Sequence, residues 1–114
     1  MAPSKFHDLA VYQLAVSLAD DMHRAVGRWP AFHRNSIGLQ LLRAADSVGA
    51  NIAEATGRWH TADKRRVLFI ARGSLYETEH WIARAEQRGL LIPGTRVRAE
   101  EIARALNGLI KNPR

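Results

Sequence analysis

Residues 36–57 read SIGLQLLRAADSVGANIAEATG, and this stretch decides the fold. Apolar side chains recur along it every three or four residues, which is the spacing of one face of an α-helix. The core-facing set is Ile37, Leu41, Ala44, Val48 and Ile52. Ser36 is a candidate N-cap and Gly57 a candidate stop, so the pattern predicts a helix over 36–56.

The rest of the chain follows the same organisation. Apolar residues at helical spacing predict three further helices, over 8–27, 62–88 and 95–110. The candidate caps and stops of these helices are Asp8, Thr61 or Asp63, Thr95, Gly27 and Gly89. No window alternates with the period of two that a strand requires. The sequence therefore predicts a single all-α domain over 1–114, an antiparallel up-down four-helix bundle with a turn at 28–35.

Composition excludes several classes of protein. The chain has 114 residues, 46% of them hydrophobic, and no cysteine. Hydrophobic content near one half is too high for a disordered chain. The lack of cysteine excludes a disulfide scaffold, cysteine-ligated zinc and a thiol nucleophile. No stretch approaches the roughly 20 apolar residues of a membrane span, and the first eight residues do not resemble a signal peptide. We therefore expect a soluble, cytoplasmic protein with no membrane partner.

Two of the predicted helices are apolar on a second face as well. That face carries Leu39, Leu42, Ala50, Ala53, Phe69 and Tyr76. A helix that is apolar on two faces is normally buried on both. A four-helix domain of this size has nothing to cover the second face, so we expect a homo-oligomer packed through these residues. The alternative is a monomer with aromatic side chains at its surface.

A polar stripe runs beside the core face of the predicted helix over 36–56. Its members are Gln40, Arg43, Ser47, Asn51, Glu54 and Arg58. We interpret Arg43, Asn51 and Glu54 as structural residues that satisfy one another and their neighbours inside the bundle. A reactive site is the alternative, but the stripe has no nucleophile beside a base with an orienting third group.

Three runs resemble a known family. They are FHDLAVYQLA at 6–15, RAADSVGANIAE at 43–54 followed by Gly57 and Arg58, and IARGSL at 70–75. Residues 6–92 are thereby similar to the small four-helix-bundle proteins encoded in intervening sequences of large-subunit ribosomal RNA genes. Gly49 stands where that family often has proline, and Ala55 where it usually has glycine.

The resemblance implies an assembly and partners. Family members are similar to the accessory proteins of diversity-generating retroelements. Those proteins assemble as ring-like homopentamers and bind nucleic acid and a reverse transcriptase. By this resemblance we expect a homopentamer without enzyme activity, with RNA or DNA, and a reverse transcriptase or ribonucleoprotein, as its candidate partners.

Positive charge is the residue-level indication of a polyanion partner. Lys and Arg number 17 against 11 Asp and Glu, a net charge of +6. The cations gather near the two predicted inter-helix turns, around 57–61 and 89–94, which lie at opposite ends of the predicted bundle. Lys5, Lys111 and Arg114 are expected at the end that holds the first turn. Arg28 and Arg34 are expected at the end that holds the second. Arginine binds phosphate bidentately, and a neighbouring aromatic ring adds base stacking. The predicted nucleic-acid contacts are Arg58, Trp59, Lys64, Arg65, Arg66, Arg88, Arg96 and Arg98. Trp29, by contrast, is predicted to fill the core.

Two other functions compete with nucleic-acid binding. A di-iron site would use Glu77 with His80 and Asp20 with His23, completed by Glu54 and Glu101. Those helical positions lie away from the core, so we expect no metal and no cofactor. The second rival is a protein-interaction scaffold whose basic ends face an acidic protein partner. The leading hypothesis is a non-enzymatic nucleic-acid-binding protein.

Overall fold

The computed structural model describes residue 6 and residues 9–113. Within this part of the chain every regular element is helical, which confirms the predicted all-α class. The helices are α1 (Ala10–Gly27), α2 (Ala31–Arg34), α3 (Ile37–Thr56), α4 (Thr61–Gln87) and α5 (Val97–Lys111). The long helices α3, α4 and α5 begin and end within two residues of the predicted ranges, and α1 ends at the predicted Gly27.

The buried core follows the predicted spacing. Ile37, Leu41, Ala44, Val48 and Ile52 of α3 are all buried, and so are Val67, Ala71, Leu75 and Ile82 of α4. Thr78 is the one buried polar side chain among the described residues, and its hydroxyl donates to the carbonyl oxygen of Ser74 at 2.7 Å. Burial without a partner is costly for a polar group, so this bond within α4 makes the position compatible with the core.

The predicted turn at 28–35 is more regular than expected. It contains the four-residue helix α2, which follows Pro30. A proline that opens a helix contributes a preset backbone angle and loses no intrahelical hydrogen bond. The sequence prediction missed this element because four residues are too short to show helical periodicity.

The predicted N-cap assignments need correction. Ser36 occupies the N-cap position of α3, but its hydroxyl donates backwards to the carbonyl oxygen of Phe32 at 2.6 Å. Likewise Thr95 donates to the carbonyl oxygen of Ile92 at 2.8 Å, and the N-cap of α5 is Arg96. His60, rather than Thr61 or Asp63, is the N-cap of α4. Asp8, the cap predicted for α1, lies outside the described residues.

Small residues allow α1 and α3 to approach closely. An added Cβ at Gly38 would lie 2.7 Å from Cγ1 of Val26, and one at Gly49 would lie 3.4 Å from Cγ2 of Val16. Gly49 and the buried Ala55 are the two departures from the resembled family, and α3 runs unbroken through both. The glycines of α3 therefore set how closely it packs on α1.

Contacts between distant residues fix both ends of the bundle. Beyond the end of α1, the indole of Trp29 is buried and donates to the carbonyl oxygen of Leu90, just past α4, at 3.0 Å. At the other end, Nε of Arg65 in α4 donates to the carbonyl oxygen of Ile110 in α5 at 2.8 Å. Trp29 thus fills the core, as predicted. Gly89, with a φ of +74°, ends α4 in the left-handed region that glycine adopts readily.

Candidate nucleic-acid interface

The turn between α3 and α4 holds acids as well as the predicted phosphate-binding cations. Arg58 pairs with Glu54 and donates from Nη1 to Oδ2 of Asp63 at 3.3 Å. Arg66 donates from Nε and Nη2 to Oδ1 of Asp63 at 3.2 and 3.0 Å. Two carboxylates therefore offset part of the positive charge of this cluster.

These pairs also shift two ionisation equilibria. The hydrogen bonds from Arg66, with the charge of Arg58, hold the pKa of the Asp63 carboxyl below its ordinary value. The hydrogen bond to Glu54, and then the charge of Asp63, raise the pKa of Arg58. Both groups are exposed to solvent, so water and salt weaken these interactions. Their consequence is that the turn carries fixed charges of both signs at neutral pH.

The other two predicted cations of this turn donate hydrogen bonds to carbonyl oxygens at the ends of helices. Nζ of Lys64 donates to the carbonyl oxygen of Thr56, the last residue of α3, at 3.1 Å. Arg65 donates to the carbonyl oxygens of Ile110 at 2.8 Å and Lys111 at 3.4 Å. The last carbonyls of a helix lack intrahelical partners and carry partial negative charge. Lys64 and Arg65 thus stabilise the ends of α3 and α5.

Trp59 is the most exposed aromatic side chain of this turn. Its side chain is 89% exposed and lies between Arg58 and His60 in the chain. Exposing an indole to water forgoes the large stabilisation that its burial would bring. Trp59 therefore contributes little to the core, in contrast to the buried Trp29, and it is available to a partner.

The second basic cluster surrounds the loop between α4 and α5. Arg98 donates from Nη1 to Oδ2 of Asp21 at 2.5 Å and from Nη2 to Oγ of Ser17 at 3.2 Å. Asp21 also pairs with Arg24, and the hydrogen bonds from Arg98 and then Arg24 hold its pKa below the ordinary value. Arg88 and Arg96 are exposed. Arg98 is thus tied to α1, whereas Arg88 and Arg96 remain at the surface.

Of the other cations predicted at these ends, some lie where they were expected and some lie outside the described residues. Lys5 and Arg114 lie outside the described residues. Arg34 donates to the carbonyl oxygen of Trp29 at 3.3 Å, while Arg28 lines a cleft of about 700 Å³ with Trp29, Leu90 and Arg98. Arg28 and Arg34 thus lie at the end of the bundle that holds the loop between α4 and α5, as predicted.

The predicted oligomer face divides into two apolar surfaces. Phe69 and Tyr76 flank Arg72, whose Cζ lies 4.8 and 5.9 Å from their ring centroids and whose Nη1 donates to Oδ1 of Asn107 in α5 at 3.0 Å. This first surface is therefore on the α5 side of α4. Leu39 and Ala50 are exposed on α3, whereas Leu42 and Ala53 are partly buried. Ile70, about half exposed, is an apolar residue that the sequence reading did not assign.

The polar stripe is not an internal network. Ser47 donates to the carbonyl oxygen of Arg43 at 2.8 Å, and Asn51 donates to that of Ser47 at 2.8 Å. Glu54 pairs with Arg58, and among the described residues no hydrogen bond joins Arg43, Asn51 and Glu54 to one another. The interpretation that these three satisfy one another inside the bundle is wrong, because Arg43 and Glu54 are exposed. The bonds to their neighbours Ser47 and Arg58 agree with the structural interpretation.

A groove between α2, α3 and α4 was not predicted. It has a volume of about 580 Å³, and Phe32, Arg43, Trp81 and Arg88 are among its lining residues. Arg43 had been assigned a structural role, and Phe32 belongs to the helix that the sequence prediction missed. Pro30 followed by Ala-Phe-His-Arg was the only local signal for this element.

The di-iron alternative finds no geometric support. Within the described part of the chain, no three His, Asp or Glu side chains lie close enough to hold a metal ion. Instead Nε2 of His23 lies 2.9 Å from Oδ2 of Asp46, and Glu77 accepts a hydrogen bond from Nε1 of Trp81 at 3.3 Å.

Of the helices in the described residues, none is long and apolar enough to cross a membrane.

Comparison with known proteins places the chain in a family. A crystal structure of a protein of unknown function from the S23 ribosomal protein family of Bacteroides thetaiotaomicron is similar to it, with a TM-score of 0.77 and 25% sequence identity. That match covers 90% of this chain and 100% of the other. No curated protein matches the chain. The family model described as 23S rRNA-intervening sequence protein matches residues 7–111, and the chain therefore belongs to that family.

Proposed function

We propose that this protein is a non-enzymatic, oligomeric nucleic-acid-binding protein of the cytoplasm, with RNA as its ligand. The observation that carries the proposal is the exposure of Trp59 in the turn that also holds Arg58 and Arg66, both bound to Asp63. An exposed indole next to guanidinium groups combines base stacking with phosphate attraction, which is how many single-strand binders work. The family description and the family of the structural neighbour both refer to the ribosome or its RNA. These names favour RNA over DNA.

The assembly we propose is a ring-like homopentamer of antiparallel up-down bundles. The contacts of Trp29 with Leu90 and of Arg65 with Ile110 support the up-down order. A surface at Phe69 and Tyr76 and a second one at Leu39 and Ala50 support a head-to-tail interface. Such an interface joins two different surfaces and forms a ring when its rotation closes, whereas a two-fold dimer pairs one surface with itself. The family resemblance supplies the number five.

A reverse transcriptase or a ribonucleoprotein is the larger partner that the family resemblance favours. Repeating the positive surface around a ring would multiply the charge that faces a polyanion, since each chain carries +6. Affinity would then depend steeply on salt, because binding releases the counterions of several phosphates at once.

Binding to labelled oligonucleotides tests the proposal. The wild-type protein should bind single-stranded RNA, and its affinity should fall steeply between about 50 mM and about 200 mM salt. Trp59→Ala should weaken binding by about 5- to 150-fold, the equivalent of one lost base stack. Arg66→Gln should weaken it too, and Trp59→Phe, which keeps a stacking ring, is the matched control. The absence of binding to RNA and DNA at physiological salt would refute the proposal.

An acidic protein is the second candidate partner, because Arg58 and Arg66 already bind carboxylates of Glu54 and Asp63. An acidic segment that displaced those carboxylates would make charge-assisted hydrogen bonds of the same kind. A labelled Glu-rich peptide in the same titrations separates the two functions. Tighter binding of the peptide than of RNA would favour the scaffold.

A further inference from the structure

The groove between α2, α3 and α4 has the composition of a ligand site. Its volume is about 580 Å³, within the range of pockets that hold small molecules or a nucleotide. The lining includes two arginines, three rings and two amides: Arg43, Arg88, Phe32, His33, Trp81, Asn35 and Gln40. Leu39, which belongs to the second proposed oligomer surface, also lines the groove. The described lining contains no carboxylate. The groove thus differs from the α3–α4 turn, where Asp63 and Glu54 offset the cations.

The two arginines of the groove have their charge available. Arg43 and Arg88 are both exposed, and neither forms an ion pair with any carboxylate that the structure describes. Arg58, Arg66 and Arg98 all form such pairs. An unpaired guanidinium binds phosphate without first losing an internal partner. Because its guanidinium groups are not ion-paired, the groove is a better anion site than the cluster of Arg58, Asp63 and Arg66.

The rings of the groove provide a flat surface beside these charges. The side chain of Phe32 is 78% exposed, and its ring meets that of His33 edge to face, with centroids 5.3 Å apart. Trp81 is partly buried, and its Nε1 is held by Glu77 at 3.3 Å. The hydroxyl of Ser36, which donates to the carbonyl oxygen of Phe32, ties α2 to the start of α3. The exposed ring is therefore carried by a short helix that is joined to the bundle.

We infer that this groove binds single-stranded nucleic acid, with Arg43 and Arg88 contacting phosphates and Phe32 stacking on a base. The inference rests on the proposed function and adds a second contact to the one at the α3–α4 turn, formed by residues near the start of α3 and the end of α4. A single strand fits because its bases are free to stack on an aromatic ring, whereas the bases of a duplex are already stacked and paired. An acidic peptide would satisfy the arginines but has no flat group for Phe32.

A charge-matched pair of double variants tests the site. Arg43→Gln with Arg88→Gln removes the groove cations, while Arg24→Gln with Arg104→Gln removes two exposed arginines elsewhere. The probe is a fluorescein-labelled single-stranded RNA of about 12 nucleotides, titrated at about 150 mM salt. The groove variant should bind roughly tenfold or more weakly than the control variant, because each charge-assisted contact is worth about one decade of affinity. Phe32→Ala should weaken binding by about fivefold or more.

Photo-crosslinking of RNA that carries 4-thiouridine locates the contact without any substitution. Crosslinks to peptides covering 31–43 or 77–88 support the groove. Crosslinks confined to 57–66, or an equal loss of affinity in the two double variants, would show that the protein binds RNA elsewhere and would overturn the inference while the proposed function stands. Failure of the wild-type protein to bind RNA refutes both. Tighter binding of a Glu-rich peptide than of RNA, abolished by the groove variant, would assign the groove to an acidic protein instead.

Discussion

Nε of Arg65 donates a hydrogen bond to the carbonyl oxygen of Ile110 at 2.8 Å and so joins the start of α4 to the end of α5. The carbonyl of Ile110 belongs to the last turn of its helix, where intrahelical donors run out. Arg65, whose charge predicts a nucleic-acid contact in the sequence, thus joins two helices of the bundle. Its neighbour Arg66 pairs with Asp63 at the surface instead.

Arg65→Ala should lower the free energy of unfolding by about 1–2 kcal/mol, because it removes a charge-assisted hydrogen bond from a partly buried carbonyl. Arg66→Ala is the matched control, and removing its solvent-screened ion pair should cost less stability than Arg65→Ala. Urea denaturation followed by circular dichroism measures both. Equal losses in the two variants would contradict the structural role assigned to Arg65.

The ion pairs of Asp21 predict a loss of stability in acid. Hydrogen bonds from Arg98 and then Arg24 lower the pKa of this carboxyl in the folded protein. A carboxyl with a lowered folded pKa stabilises the fold above its unfolded pKa of about 3.9, and this contribution disappears as the pH falls through the folded pKa. Asp21→Asn should therefore flatten the decline of unfolding free energy below about pH 4.

The control for this pH dependence is Asp20→Asn, which changes the adjacent exposed carboxylate. Stability is measured by urea denaturation from neutral pH to about pH 2, at low and high salt, because solvent screening reduces a pair of this exposure. If the wild type and Asp21→Asn lose stability in parallel as the pH falls, Asp21 does not contribute to the acid lability.

Two glycine substitutions should change stability in opposite directions. A Cβ at Gly38 would lie 2.7 Å from Val26 Cγ1 and 3.1 Å from the carbonyl oxygen of His33, so Gly38→Ala should cost about 1–3 kcal/mol. Nothing lies within 4 Å of a Cβ placed at Gly108 in α5, so Gly108→Ala should stabilise the helix by about 0.5–1 kcal/mol. Thermal denaturation should show a lower midpoint for the first variant and a higher one for the second.

Oligomerisation should depend on the apolar surface around Arg72. Tyr76→Glu places a charge beside Phe69, and we expect it to dissociate the assembly while leaving the helical content unchanged, because Tyr76 is half exposed in the single chain. Analytical ultracentrifugation at micromolar concentration gives the mass of each species. Glu101→Gln, an exposed change on α5, is the control. A wild-type protein that sediments as a monomer would contradict the proposed ring.

The parts of the fold that follow helical periodicity were predictable from the sequence. The core face of α3 and the end of α4 at Gly89 agree with the helical spacing and the stop signal. The short helix α2 and the donor role of Ser36 did not follow from the sequence. The helix is too short to show periodicity, and the donor role of Ser36 depends on a hydrogen bond to Phe32 that periodicity does not encode. Among the predicted binding residues, Trp59, Arg88 and Arg96 are at the surface as expected, whereas Lys64 and Arg65 bind helix ends.

Helical periodicity was enough to predict the class of fold and its core, because the alternation of apolar and polar residues along one helix is a local property. Tertiary structure decided which charges remain available to a partner. Arg98 meets Asp21 across 77 residues of sequence and Arg65 meets Ile110 across 45, while Arg43 and Arg88 meet at one groove. Whether an arginine is bound to a protein group or available to a ligand depends on the neighbour that helix packing places beside it. Spacing along the chain does not predict that neighbour.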